Sequence, residues 1–530
     1  MSSIYAFFAG SHSATSALVV DGDIKYVIEE ERLSRVKSGD DYESYPRLSS
    51  SKIVELSNLE IKDTDYRIFV EPIPDLYAED LTNGNYERMG HHDSHCYGAY
   101  FTSGMEGKVM CISFDGGGDK SVMKIYLCED GKMTLFRSMD FSTFGSISHL
   151  WGFSTMGMMG WDDYGVPIWK ICKDEGKLMG MAADGYYDQN IINMLKTVIT
   201  YKDLKFTPSN TGGRTKFLID SLRVMGYFNS KEQREIFSYN LQHYTNEMFI
   251  HFINDLHKLH PEYKKFVFSG GLFANVKLNQ QINELDFVDE MYVYPPMGDE
   301  GLPLGACIKK AVELGEITKP IKLKNVFFGI GYTQDEINQD SENYDFKKEE
   351  YNSEVIARDL EDGKMIGWFQ DRFEHGPRAL GSRSILVKPT EIKTHKLLNE
   401  RLKRYEIMPF APIVMEEHFD KIFYPSKSKY SAEFMTICYS TRESWINKIP
   451  AVIQKSDKSA RPQVVVKNKN EKLWDVLNEY SKISGIPVLL NTSFNSHNEP
   501  IIDSPKQAFE TLNKGIIDKL VIGDYVYYRK

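Results

Sequence analysis

Val109-Met110-Cys111-Ile112-Ser113-Phe114-Asp115-Gly116-Gly117-Gly118-Asp119 is an apolar run that ends in a carboxylate and three glycines. Its length and apolar continuity read as a buried strand, with Asp115 at the strand end. A glycine turn lacks Cβ atoms, so a phosphate can approach the backbone at Gly116 and Gly117. A carboxylate beside such a turn suits a metal-and-nucleotide site. Ser121 to Cys128 forms the return strand, and Glu129-Asp130-Gly131 turns into a third, Met133 to Phe136. Upstream, Ile4 to Ala9, the turn Gly10-Ser11-His12-Ser13 and Ser16 to Val20 repeat the strand–turn–strand pattern. Asp21-Gly22-Asp23 then turns into Ile24 to Ile28. Two such units, each with a turn of small residues, predict a duplicated α/β core.

The segment His91-His92-Asp93-Ser94-His95 lies just upstream of the central strand. His91 and His95 are four apart, so on a helix both imidazoles face one way and can grip one metal ion. The same spacing also serves two structural histidines. Asp115 is a candidate third ligand. Asp299, in the loop Pro295 to Gly301 after the strand Met291 to Tyr294, is a fourth. Asp299 can equally cap a helix from Leu302 to Leu314. Two imidazoles with two carboxylates suit iron, manganese or zinc.

Further loops invite phosphate. Ser269-Gly270-Gly271-Leu272-Phe273-Ala274-Asn275 joins the strand Phe266-Val267-Phe268 to a helix bearing Asn279. Its glycine N–H groups can face a phosphate at a helix N-terminus. A tight turn without ligand uses the same residues. Lys177, in Glu175 to Gly180, is a second phosphate candidate or a plain surface lysine. In the C-terminal part, Arg378 and Arg383 flank Gly381 within Glu374 to Ser384. Arg461-Pro462-Gln463 and Asn491-Thr492-Ser493-Phe494-Asn495 follow. Guanidinium forks match phosphate or carboxylate oxygens, and amides and hydroxyls at a strand end commonly line a small-molecule site. Surface ion pairs are the alternative use of these arginines.

At 530 residues the chain exceeds one ordinary core, and the polar stretch from Thr333 to Glu350 divides it into expected domains 1–345 and 346–530. The formal net charge of -11 argues against a broad electrostatic grip on nucleic acid. Six scattered cysteines without a C-x-x-C pair point to a reducing, cytoplasmic setting. Ile4 to Ala9 lacks a basic leader and reads as a strand, and no apolar run reaches the length of a membrane span.

The motifs together resemble the O-carbamoyltransferase family of NodU and TobZ. They run in order from Glu29-Glu30-Glu31-Arg32-Leu33-Ser34-Arg35-Val36-Lys37, through His91-His92-x-x-His95, Asp115 to Asp119, Glu175 to Ala183, Ser269 to Asn279 and Gly298 to Ala306. The order continues with Gly376 to Gly381, Pro409 to Pro412, Arg461 to Gln463, Asn491 to Asn495 and Glu499 to Ile502. The resemblance implies a TsaD-like ASKHA domain followed by a YrdC-like domain. It implies that carbamoyl phosphate and ATP, with Mg2+ as a possible companion ion, give carbamoyl-adenylate. The carbamoyl group then passes to an acceptor hydroxyl. It assigns carbamoyl phosphate to Lys37, Arg378, Arg383, Arg461, Asn491, Ser493 and Asn495. It assigns the adenylate and a divalent iron to the first domain, the metal ligands being His91, His95, Asp115 and Asp299. It places His12 near the transfer site, where the acceptor hydroxyl needs a base; a turn histidine bonded to backbone is the plainer role.

Three positions depart from the family pattern: Lys455 and Ser38 stand where histidines are usual, and Met408 where an arginine is usual. The expected acceptor is a sugar, another natural product or hydroxymethylated cytosine in DNA. An aromatic and methionine cluster from Phe144 to Trp169 can line an acceptor cleft or fill core. A TsaD-like N-acyl transfer to tRNA, and a non-catalytic ASKHA nucleotide-binding module, are the alternative readings. Neither has a use for the C-terminal arginine set.

Overall fold

The computed structural model describes residues 2–10, 12–37, 45–71, 85–140, 146–159, 175–208, 212–403, 410–424, 427–497 and 499–530. The strands come where alternation and turn residues demand them. They are β1 (Ser3–Phe8), β2 (Thr15–Val20), β3 (Asp23–Glu29), β4 (Tyr66–Val70), β5 (Glu87–Met89), β6 (Lys108–Gly118), β7 (Ser121–Glu129) and β8 (Lys132–Asp140). A small hairpin, β9 (Ile199–Lys202) with β10 (Lys205–Pro208), precedes β11 (Lys265–Ser269) and β12 (Glu290–Val293).

Two five-stranded sheets result, with orders β3-β2-β1-β4-β5 and β8-β7-β6-β11-β12. In the first, β1 pairs antiparallel with β2 and parallel with β4. In the second, β6 pairs antiparallel with β7 and parallel with β11. The repeated order is the duplicated α/β core that the two strand–turn–strand units predict. The helix His91–Ser103 packs on the β6 sheet and the helix Leu302–Glu313 on the β1 sheet, and the two helices pack on each other. Their approach is close because Gly305 sits against the Ser94 carbonyl, where a Cβ would lie 1.9 Å from the oxygen. The long helix Lys231–Leu259 starts at Ser230, whose hydroxyl caps the Gln233 N–H.

The remaining strands are β13 (Phe346–Glu350), β14 (Ile366–Phe369), β15 (Arg383–Val387), β16 (Ala411–Met415), β17 (Tyr439–Ser440), β18 (Ser459–Ala460), β19 (Gln463–Val465), β20 (Val488–Ser493), β21 (Lys519–Ile522) and β22 (Tyr525–Arg529). Eight of them form one mixed sheet, ordered β13-β22-β21-β14-β15-β20-β16-β19. Helices Ser353–Glu361 and Glu471–Ser484 cover it, and Trp368, Ile356, Leu477 and Leu489 lie in its core.

The chain separates into two compact units, but not at 345. Unit 1 comprises residues 1–23 and 38–323, and unit 2 comprises 24–37 and 324–530. The polar stretch expected to be a boundary is a surface helix, Gln334–Ser341, started by a capping box of Thr333 and Glu336 and followed by β13. Charged residues there mark a solvated face rather than a linker. Among the described residues no helix is long and apolar enough to cross a membrane. Cys111 is buried, and burial pushes its thiol up.

Candidate active site

Unit 1 brings His91, His95, Asp115 and Asp299 together, with one ligand atom from each within 4.8 Å of the others. The helix His91–Ser103 supplies both imidazoles one turn apart. Its N-cap, Gly90, has no side chain to offer. Instead the Asp119 carboxylate takes the N–H of His91 at 2.7 Å and of His92 at 3.0 Å, anchoring the positive end of the helix. Asp119 is thus a cap rather than a ligand.

Each imidazole of the cluster is oriented from behind. His91 Nδ1 donates to the Glu71 carbonyl at 3.0 Å. His95 Nδ1 lies 3.0 Å from Ser269 Oγ, which donates onward to the Met297 carbonyl. Both Nε2 atoms therefore turn toward the carboxylates. His91 Nε2 is 3.5 Å from Asp299 Oδ1, and His95 Nε2 is 3.4 Å from Asp115 Oδ2 and 3.6 Å from Asp299 Oδ1. Both Nε2 atoms and Asp299 Oδ1 are buried and have no hydrogen-bond partner. Metal–ligand bonds of 2.0–2.2 Å place neighbouring ligand atoms about 3–3.5 Å apart, so the donor set and its spacing fit a divalent transition metal.

The electrostatics agree. Burial would push both imidazoles down. For His95 the neighbouring carboxylates of Asp115 and Asp299 outweigh burial and raise it to about 10. His91 stays low, burial prevailing over Asp299. Burial acts to raise Asp115, but His95 and the Gly271 N–H hold it far below the carboxylate range. His92, between the two ligands, has both ring nitrogens engaged, at 2.9 Å with Ser113 Oγ and 3.0 Å with the Ser121 carbonyl. It is a framework residue. His12, in the turn between β1 and β2, reaches the rim: its Nε2 is 3.7 Å from Asp299 Oδ2 and its side chain is partly exposed.

Two of the glycines make room for their neighbours. A Cβ on Gly118 would sit 2.3 Å from the His91 ring. Gly270 adopts φ +100°, and its Cβ would strike the Phe114 carbonyl. The N–H groups of the Gly270-Gly271 turn are bonded within the fold: Gly270 donates to the Met297 carbonyl at 2.8 Å and Gly271 to Asp115 Oδ2 at 2.7 Å. Asn275 is likewise committed, capping the Leu278 N–H at 3.0 Å and donating to Gln242 Oε1. Gly116 and Gly117 lie where the β6–β7 ladder shifts register, and Gly116 donates to the Asp115 carboxylate. Lys177 is half-buried on the helix Glu175–Met181.

In unit 2 the loop from Glu374 to Arg383 wraps one buried carboxylate. Glu374 Oε1 accepts the N–H groups of Leu380 and Ser382 at 2.8 Å and of Arg383 at 2.9 Å. Gln463 Nε2 donates to the Leu380 carbonyl at 2.7 Å, and Asn491 Nδ2 to the Ala379 carbonyl and Gln463 Oε1, both at 2.9 Å. Asn491 thus ties the loop to β20. Ser493 donates to Asn495 Oδ1, and Asn495 to the Glu499 carbonyl.

Arg383 is tied into its own loop. It is fully buried at the start of β15, lies 3.5 Å over the Phe369 ring, and donates to the carbonyls of Gln370, Asp371 and Ile330 and to Ser382 Oγ. Burial pushes its guanidinium down to about 10. It braces the loop through both Nη atoms. Arg378 and Lys37 are half-buried, as is Arg461, which burial pushes down. Of the aromatic cluster, Trp151 is core and donates to Thr245 Oγ1. Phe144, Trp161, Tyr164 and Trp169 lie outside the described residues, as do Ser38 and Met408. Sequence reasoning missed Asp119, Ser269 and Glu374, although each stands within one of the motifs it singled out.

Comparison with known proteins adds to this geometry. Residues 80–308 match the family model described as carbamoyltransferase N-terminus, and residues 357–529 match carbamoyltransferase C-terminus. The chain is 30% identical over 546 residues to the uncharacterized protein MJ1051 of Methanocaldococcus jannaschii, covering 97% of this chain and 98% of that one. It is 28% identical over 558 residues to nodulation protein NolNO of Sinorhizobium fredii, covering 98% and 79% respectively. It is 32% identical over 253 residues to nodulation protein U of Sinorhizobium fredii, covering 47% and 43%.

Proposed function

We propose that this chain, which belongs to the carbamoyltransferase family, is an ATP-dependent O-carbamoyltransferase. Unit 2 takes carbamoyl phosphate. Water cleaves it to carbamate and phosphate, a carbamate oxygen attacks the α-phosphorus of ATP, and pyrophosphate leaves. Unit 1 receives the resulting carbamoyl-adenylate, and an acceptor hydroxyl attacks the carbamoyl carbon and expels AMP. The observation that carries this reading is the convergence of His91, His95, Asp115 and Asp299 with three buried, unsatisfied ligand atoms, within a chain whose two parts match the two halves of the family.

The residues divide the work. Arg378, Arg461 and Lys37 supply positive charge to an anion that decomposes in open water, and Glu374, Gln463 and Asn491 hold the loop that carries Arg378. His91, His95, Asp115 and Asp299 would hold a divalent iron, zinc or manganese ion, which would supply Lewis acidity to the transfer step. His12, at the rim beside Asp299, takes the proton of the acceptor hydroxyl as general base. The acidic net charge favours a small hydroxylated acceptor over DNA. Mass spectrometry of sugars, aminoglycosides and hydroxymethylcytosine DNA, each incubated with enzyme, ATP and carbamoyl phosphate, tests the transfer. A carbamoyl adduct on one class identifies the acceptor, and adducts on nitrogen rather than oxygen would refute O-transfer.

A further inference from the structure

Residues 24–37 come early in the chain yet belong to unit 2, and the bonds that hold them there are specific. Glu29 is 5% exposed, and its Oε1 accepts the Gly376 N–H at 2.6 Å and His375 Nδ1–H at 3.1 Å. Its Oε2 accepts Arg32 Nε–H at 3.1 Å, and Arg32 Nη2 donates to the Gly376 carbonyl at 3.0 Å. Two arm residues, one helical turn apart, therefore grip both polar groups of Gly376, a residue at φ +108° that stands two positions before Arg378. Farther along, Arg35 donates to the carbonyls of Pro500 and Ile501, each at 2.8 Å, in the segment just after Asn495. Lys37 follows two residues later.

This is a costly way to fasten a segment. Burying a carboxylate and a guanidinium is no more stabilising than burying apolar residues of the same volume, so its distinctive product is register. The register set here is that of Arg378 and Lys37. His375 points the same way. Its Nε2 is buried without a hydrogen-bond partner, whereas the framework imidazole His92 is satisfied at both nitrogens.

We infer that Glu29 and Arg35 are positioning residues for an acyl phosphate dianion: Glu29 acts through His375 and Gly376 on Arg378, and Arg35 acts on Lys37. The inference rests on the carbamoyl phosphate reading above. Its test is the steady-state rate of pyrophosphate release against carbamoyl phosphate concentration for the full chain, for Glu29→Gln and Arg35→Ala, and for Arg35→Ala combined with Lys37→Ala. Losing one charge-assisted bond in Glu29→Gln raises KM for carbamoyl phosphate about tenfold while kcat stays within about twofold. The Arg35→Ala/Lys37→Ala double variant is no worse than Lys37→Ala alone, because that pair acts as a unit. Metal content, a property of unit 1, stays at the wild-type level. An unchanged KM in both single variants, or an Arg35→Ala effect that adds fully to that of Lys37→Ala, would overturn the inference. If Glu29→Gln does not fold, Arg35→Ala decides by the same criteria. Wild-type protein without carbamoyl phosphate-dependent release would instead sink the underlying reading, and the inference with it.

Discussion

His91 Nε2 and Asp299 Oδ1 lie 3.5 Å apart, both buried, and neither has a hydrogen-bond partner. A fold tolerates such a pair when a third body completes it. His91→Ala or His95→Ala is expected to abolish bound metal, read by elemental analysis of the purified protein, while secondary structure is retained. Wild-type occupancy in both variants would show that the four side chains are not the ligands.

The support behind the ligands should matter almost as much. Ser269→Ala removes the partner of His95 Nδ1, and metal affinity should fall about 10–100-fold. Gly118→Ala forces a Cβ against the His91 ring and should produce a loss of similar size. Competition with a chelator measures both.

Arg378 and Arg383 stand five apart in one motif, and the structure separates their roles. Arg383→Ala strands several buried carbonyls and should cost about 3 kcal/mol or more of unfolding free energy. Arg378→Ala should leave the urea midpoint near wild type and remove pyrophosphate release. Equal loss of stability in the two variants would contradict this division.

How far the sequence carries can be judged from such pairs. The duplicated sheets are legible because alternation, hairpin turns and glycines state each strand locally. The clustering of His91, His95, Asp115 and Asp299 is legible because helical spacing aligns the two histidines and each aspartate follows an apolar strand segment. Which arginine is swallowed by its own loop is not legible, since that depends on carbonyls of Ile330 and Gln370 contributed from outside the motif. The attachment of residues 24–37 to unit 2 is hidden for the same reason. It is made by bonds to Gly376, Pro500 and Ile501, which no local pattern announces.

Glu29 also gives a pH dependence. Burial acts to raise its carboxyl, but Arg32, His375 and the Gly376 N–H together hold it below the ordinary 4.5. A lowered folded value means that the carboxylate adds stability above pH 4.5, and that this stability is lost as pH falls through the folded value. Urea unfolding of wild type and Glu29→Gln should therefore differ at neutral pH and converge in acid. A gap that widens toward low pH would contradict the burial and pairing of this carboxylate.

The most direct test of carbamoyl transfer is pyrophosphate release from ATP by metal-loaded protein, measured with and without carbamoyl phosphate. The account predicts release only when carbamoyl phosphate is present, with phosphate formed in equal amount and radiolabelled carbamoyl carbon retained on the enzyme as an adenylate until acceptor is added. Release indifferent to carbamoyl phosphate, or none from folded and metal-loaded protein, would contradict it.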